Sequence, residues 1–153
     1  MMSQYIGTAH GGDGFGTTNA TYQFKTQIEA LSSDSNVKYV IIGGGYNDIT
    51  STSENIATGM SDCKTLITSK FPNATMCVAF IGNTTDVSKA QAIVDAQTAW
   101  NNAATSLNVV NLQNTNVLTE NDMFSSDGVH PNEKGQKAIS AAVITAMNNQ
   151  LLS

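Results

Sequence analysis

Short apolar runs alternate with longer amphipathic segments along almost the whole chain, and this alternation limits the possible folds. The strongest apolar run, residues 37–42, is rich in β-branched and aromatic side chains and predicts a buried strand. Residues 74–81 predict a second buried strand, and weaker or shorter runs predict strands at 4–9 and 108–112. Apolar residues at helical spacing predict helices at 21–31, 53–70, 86–107 and 131–151. The order β-α-β-α-β-α-β-α is typical of an α/β fold with a parallel sheet and helices on both faces.

Two helix starts and one buried stripe follow from the same segments. Asp86 is a plausible N-cap of the third helix, and Pro131 suits the first turn of the last one. The third helix is expected to bury a stripe that consists of Ile93, Ala96, Trp100 and Ala104.

The size and charge of the chain exclude several classes of protein. Its 153 residues suit a single domain spanning 1–153. The formal net charge of −5, without any basic run, argues against binding nucleic acid or an anionic membrane. The longest apolar stretches are strand-sized, so no membrane span is expected. The N-terminus lacks the basic and apolar regions of a signal peptide, which predicts a cytoplasmic protein, or a secreted one if an upstream leader has been lost.

Cysteine usage gives no sign of a disulfide framework or a metal site. Cys63 and Cys77 lie in a helical and a strand pattern, and both are expected to be buried as small hydrophobic residues. Neither has His or Cys partners at the short spacing that a zinc site needs. No metal or organic cofactor is expected.

Three loops combine strand-end positions with unusual residues, and ligands of parallel sheets bind at the carboxyl ends of the strands. In the loop 126–132, Asp127 and His130 are three residues apart, just before a helix. This spacing lets the carboxylate reach one ring nitrogen while the other faces outward, as in the orienting acid and base of a Ser-His-Asp triad. The alternative is an aspartate that caps the last helix beside an exposed histidine.

The other two loops offer hydrogen-bond donors. In the loop 43–48, the glycines up to Gly45 allow a close backbone approach to a ligand, and the Asn47 amide can donate to a developing oxyanion. Tyr46 is either a pocket wall or a packing residue. In the loop 9–16, consecutive glycines including Gly12 can offer backbone N–H groups, and His10 either lines an acyl pocket or is solvated. Ordinary turns remain the alternative for both loops.

In this order, the loops resemble those of the SGNH family of GDSL-type esterases and lipases. Residues 45–48 match that family's G-x-N-D block, and residues 127–131 match its D-x-x-H-P block. Gly12 resembles the block that supplies a backbone oxyanion donor. The resemblance implies a flavodoxin-like three-layer α/β/α fold and hydrolysis of small acyl or acetyl esters of carbohydrates or lipids. It also implies catalytic roles for His130, Asp127, Asn47 and Gly12, and substrate contacts for Gly45, Tyr46 and His10.

The family's Gly-Asp-Ser block, which carries the nucleophile and ends the first strand, does not occur in this sequence. Three explanations compete: a fragment completed by another polypeptide, a homo-oligomer that completes the sheet, or a replacement strand at residues 1–5. In the last case Ser3 is the only serine near the right position. The domain is therefore expected to be N-terminally incomplete, and inactive unless a nucleophile is supplied. The alternative function is a non-catalytic carbohydrate- or peptide-binding module, or a degenerate remnant of such a hydrolase.

Overall fold

The computed structural model describes residues 7, 11–19, 23–113 and 117–151. The strand expected at 4–9 lies outside the described residues, apart from Gly7. The described elements are α1 (Phe24–Ala30), β1 (Tyr39–Gly44), α2 (Ser53–Lys70), β2 (Thr75–Phe80), α3 (Ala90–Ser106), β3 (Val110–Gln113) and α4 (Glu133–Gln150). Short 3-10 turns lie at Tyr46–Thr50, Val87–Lys89 and Asn121–Met123.

The three described strands form one parallel sheet in the order β1-β2-β3. Tyr39 pairs with Thr75 and Gly44 with Phe80, so β1 and β2 end at the same level. An irregularity between Val78 and Ala79 shifts the register of β2 against β3. Because spatial order follows chain order, the loops that leave β1 and β2 lie next to each other at one edge of the sheet.

Helices cover both faces of the sheet, which gives the expected three-layer α/β/α arrangement. Side chains alternate along β2, so that Met76, Val78 and Phe80 enter one core and Cys77 and Ala79 the other. The larger core also contains buried residues of α1, α2 and α3. The smaller core lies under α4, which packs mainly against β3.

The buried stripe of α3 is confirmed, since Ile93, Ala96, Trp100 and Ala104 are all buried. Trp100 is completely inaccessible and packs edge-on against Phe80, with ring centroids 5.5 Å apart and planes at 82°. Such pairs of aromatic rings stabilise a core beyond the area they bury. This indole therefore lies at the centre of the larger core.

Both expected helix starts need correction. Asp86 caps the 3-10 turn before α3, accepting a 3.0 Å hydrogen bond from Ser88 N, and the α-helix begins four residues later. Pro131 is not in the first turn of α4, because Asn132 is the N-cap and accepts from Gly135 N at 3.2 Å. The Asn132 side chain accepts a hydrogen bond from a first-turn N–H that has no partner within the helix. Proline has no side-chain acceptor for such a bond.

The expected burial of the strand at residues 37–42 is wrong for most of the run. Ile41 is 43% exposed and Gly43 is also exposed, whereas Ile42 is buried. Among the described residues β1 is the end strand of the sheet, and α4 lies over β3 at the opposite end. The apolar composition predicts the strand correctly, but the burial of its side chains depends on elements that are distant in the chain.

Both cysteines are buried and free, as expected. Burial raises the pKa of the Cys63 thiol to about 12 and that of Cys77 to about 11. Neither thiol is therefore a nucleophile near neutral pH. In the part of the chain that the structure describes, no helix is long and apolar enough to cross a membrane.

Candidate active site

The loop after β1 begins with a sharp change of backbone direction. Gly45 has φ +124°, a conformation that side chains disfavour, and a Cβ atom there would overlap the Phe80 ring. Gly45 is buried, so it shapes the turn rather than lining an open surface. The following 3-10 turn leaves Asn47 exposed and buries Asp48 completely.

The two loops with expected oxyanion donors are in direct contact. Asn47 Nδ2 donates a 3.0 Å hydrogen bond to the Asp13 carbonyl oxygen. Gly12, the preceding residue of that loop, is exposed in a turn with φ +92°. A side-chain amide has two N–H donors, so this bond fixes Asn47 and leaves its second N–H for a ligand.

The Asp48 side chain reaches beyond its own loop to the first loop and to α3. Its carboxylate accepts hydrogen bonds from Phe15 N at 3.1 Å, Gly16 N at 2.8 Å and Trp100 Nε1 at 2.7 Å. Burial raises the pKa of this carboxyl above its ordinary value, while the three donors act in the opposite direction. The local sequence carries no signal for partners 33 and 52 residues away.

Asp127 and His130 form a close pair in the loop before α4. Asp127 Oδ2 lies 2.6 Å from His130 Nδ1, while Oδ1 accepts from the backbone N–H groups of Val129 and His130, both at 2.9 Å. The hydrogen bond from His130, followed by the two backbone donors, lowers the pKa of Asp127 to about 2. Asp127 does not cap α4, because Asn132 does.

The pair is open to solvent but its loop is held in place. The side chains of His130 and Asp127 are 76% and 49% exposed. Ser125 N donates to the His130 carbonyl at 2.7 Å, and Thr85 N donates to the Gly128 carbonyl at 2.9 Å. The second of these bonds anchors the Asp127–His130 loop on the loop that follows β2.

Close packing continues from the β2 loop to the β1 loop. Gly82 lies against the backbone of Gly45 and Tyr46, where a Cβ atom would overlap it. The structure thus places the loops at 12–16, 45–50, 81–86 and 125–130 in a continuous series of contacts. These are the loops in which the sequence predicts the site, with the addition of 81–86.

Lys89 is a neighbour that the sequence analysis missed. Its Nζ donates to the Tyr46 hydroxyl at 2.9 Å and lies 5.6 Å from the ring centroid. Hydrogen bonding to Tyr46 raises the pKa of the Lys89 ammonium group. Tyr46 is half-buried, so both of the expected roles, pocket wall and packing, remain compatible with its position.

A separate cavity of about 160 Å³ lies between the first loop and the helices α1 and α2. It is lined by Gly14, Phe15, Gly16, Thr17, Thr18, Gln23, Phe24, Lys25, Asn55, Thr58, Gly59, Asp62 and Cys63. Since this lining contains neither Asn47 nor the Asp127–His130 pair, the cavity is distinct from the candidate active site.

Two expected residues, His10 and Ser3, lie outside the described residues. Among those that the structure describes, no group of three or more His, Cys, Asp or Glu side chains is arranged to hold a metal ion. The candidate site of this structure therefore consists of Asn47, the Gly12 turn and the Asp127–His130 pair.

The sequence matches the GDSL-like lipase/acylhydrolase family over residues 1–143, and the chain belongs to this family. The resemblance drawn from the loop residues is confirmed. No curated protein matches the sequence.

Solved structures share the fold. A protein from Lactobacillus plantarum aligns with a TM-score of 0.67 at 14% identity, over 92% of this chain and 78% of that one. A carbohydrate esterase family 3 protein from Talaromyces cellulolyticus aligns with a TM-score of 0.60 at 21% identity, over 73% and 57%. An acetyl esterase mutant with acetate ion aligns with a TM-score of 0.58 at 21% identity, over 71% and 57%. The alignments span little more than half the length of these two esterases. The family match shows a resemblance to hydrolases of the esterase type, and the solved structures show the fold.

Proposed function

We propose that this protein is a serine-type carboxylic ester hydrolase in which Asp127 and His130 form the general base. The observation that carries the proposal is the 2.6 Å contact between Asp127 Oδ2 and His130 Nδ1. With its pKa at about 2, the Asp127 carboxyl is ionised at neutral pH and can only accept a hydrogen bond. Nδ1 of the neutral ring then carries the proton, and the outward Nε2 has the free lone pair that a base needs.

The reaction would be acyl transfer. His130 Nε2 removes the proton of a serine hydroxyl as the oxygen attacks the ester carbonyl, and later returns it to the leaving alcohol. Asp127 holds the ring and stabilises the imidazolium that forms between these steps. Water then attacks the acyl-enzyme while His130 takes its proton. His130 returns that proton to the serine oxygen as the acyl–oxygen bond breaks and the carboxylic acid is released.

Asn47 and Gly12 are the proposed donors to the oxyanion. The second Nδ2 proton of Asn47 and the Gly12 backbone N–H would bind the negative oxygen of the tetrahedral intermediate. Removing one such donor typically lowers kcat by about 10²–10³-fold. The bond between Asn47 and the Asp13 carbonyl supports this assignment, because it holds the two donor loops against each other.

Short acyl esters of carbohydrates are the proposed substrates. The exposed Asp127–His130 pair leaves room for a large alcohol group, such as a sugar, on the solvent side. Two structural neighbours support this class, since one is described as a carbohydrate esterase and another as an acetyl esterase with acetate ion. Lipid esters are the other substrates of the wider class.

We further propose that a homo-oligomer completes the sheet and that the nucleophile is then a serine outside any Gly-Asp-Ser block, since every copy has the same sequence. The sequence contains no Gly-Asp-Ser, and among the described residues β1 is an end strand of the sheet. A fluorophosphonate probe followed by intact-mass analysis and peptide mapping tests this arrangement. One adduct on a serine, formed only in the oligomer and lost in His130→Ala, is the expected result. Turnover without an adduct would refute the serine mechanism. Glycan binding without turnover would favour a non-catalytic module.

A further inference from the structure

Asp48 is a buried polar side chain at the junction of the first loop, the second loop and α3. Its side chain is fully inaccessible, and three donors surround its two oxygens. A buried carboxylate without partners strongly destabilises a fold, so such residues are found where hydrogen bonds compensate. Two of these donors belong to the first loop and one to the core indole of Trp100.

The hydrogen bonds of Asp48 lie next to the hydrogen bond of Asn47, the preceding residue and a proposed oxyanion donor. Asn47 donates to the carbonyl of Asp13, and Asp48 accepts from the N–H groups of Phe15 and Gly16. Two consecutive residues of the second loop therefore bind three residues within a four-residue segment of the first. Both proposed oxyanion donors, Asn47 and Gly12, lie directly beside these bonded positions.

The geometry leaves little freedom at this junction. A Cβ atom on Gly14 would overlap Asp48 Oδ1 and lie 3.0 Å from its Cγ, so only a glycine allows this approach. Trp100 holds the other side of the carboxylate and is itself fixed by the aromatic core. The position of the carboxylate is thus determined by both the first loop and α3.

We propose that Asp48 is a positioning residue of the oxyanion site: its carboxylate sets the distance between the Asn47 amide and the Gly12 turn. This inference rests on the proposed function. A displacement of about 1 Å in such a pair can lower the rate about 100-fold without removing either donor. Asp48 itself would touch neither substrate nor the reacting atoms.

The test is Asp48→Asn, which keeps the shape but turns an NH₂ group toward N–H donors. With p-nitrophenyl acetate we expect kcat to fall about 100-fold while KM changes less than about threefold. The matched control is Ile67→Ala, a buried α2 residue outside these loops, which lowers stability but should keep kcat. If the control loses as much kcat as Asp48→Asn, or Asp48→Asn loses none, the positioning role is refuted.

A second variant and a second measurement test the positioning role of Asp48 separately from the proposed esterase function. Gly14→Ala should push the carboxylate away from Gly16 N and lower kcat in the same way, even if Asp48→Asn does not fold. Amide exchange by NMR needs no turnover. Protection at Phe15 and Gly16, and slow exchange of the Asn47 side-chain amide, should fall at least tenfold in either variant. A wild-type chain without turnover refutes the proposed function, whereas unchanged exchange refutes the positioning role alone.

Discussion

Replacing Trp100 with phenylalanine tests the buried hydrogen bond at the centre of this fold. The substitution removes the Nε1 donor that lies 2.7 Å from Asp48 Oδ2 and keeps an aromatic ring in the core. Asp48 would remain bonded to Phe15 N and Gly16 N but would lose its one donor from α3.

The expected loss of stability has two parts. A hydrogen bond to a charged group contributes about 1.5–3 kcal/mol. The smaller ring leaves a void among Phe15, Phe24 and Phe80, which costs about 1–2 kcal/mol more. We therefore expect Trp100→Phe to lower the free energy of unfolding by about 4 kcal/mol, with a fall in Tm of about 10 °C for a domain of this size.

Urea unfolding followed by circular dichroism measures the change, because the variant has lost the single tryptophan of the chain. Phe80→Leu is the control, since it reduces the same aromatic cluster but removes no donor. A double-mutant cycle of Trp100→Phe with Asp48→Asn should give a coupling of at least about 1 kcal/mol. A loss below about 1 kcal/mol in Trp100→Phe, or no coupling, would show that the bond does not stabilise the fold.

Three further predictions concern the site loops. Asn47→Ala should lower kcat on p-nitrophenyl acetate by about 10²–10³-fold with a smaller change in KM, and equal effects on both would contradict an oxyanion role. Gly128→Ala places a Cβ against the Thr85 side chain at φ +67° and should destabilise the chain by about 2 kcal/mol in urea unfolding; a neutral effect would show that the loop is free to move. The pKa of Asp127 is about 2 when folded and about 3.9 when unfolded, so its stabilising contribution is complete above about pH 4 and lost as the pH falls through about 2. The Tm difference between wild type and Asp127→Asn should shrink over that window, and a constant difference would contradict the pairing with His130.

Sequence patterns predicted the elements well where local chemistry determines them. The helix expected at 53–70 has those bounds, because Thr52 caps its start and Phe71 precedes a proline at its end. The prediction of a helix at 86–107 is less accurate, since this segment begins as a 3-10 turn and becomes α-helical at Ala90. Apolar periodicity does not distinguish these two kinds of first turn.

The remaining differences arise from contacts between distant parts of the chain. The exposure of Ile41 depends on where α4 packs, and nothing within residues 37–42 encodes that. The spacing of Asp127 and His130 predicted their contact, because both lie in one short loop. The partners of Asp48 are in another loop and another helix, and Lys89 meets Tyr46 only through the packing of α3. Local motifs therefore predict the candidate site, while tertiary structure determines how its loops are held.

The most direct test of the proposed function is the initial rate of p-nitrophenyl acetate hydrolysis by the wild-type chain and by His130→Ala. Lys137→Ala is the matched control, since it removes an exposed side chain near the same loop, outside the proposed catalytic pair. Turnover that falls at least about 10³-fold in His130→Ala and is unchanged in Lys137→Ala would agree with a general base at His130. A wild-type rate no higher than that of His130→Ala would contradict it.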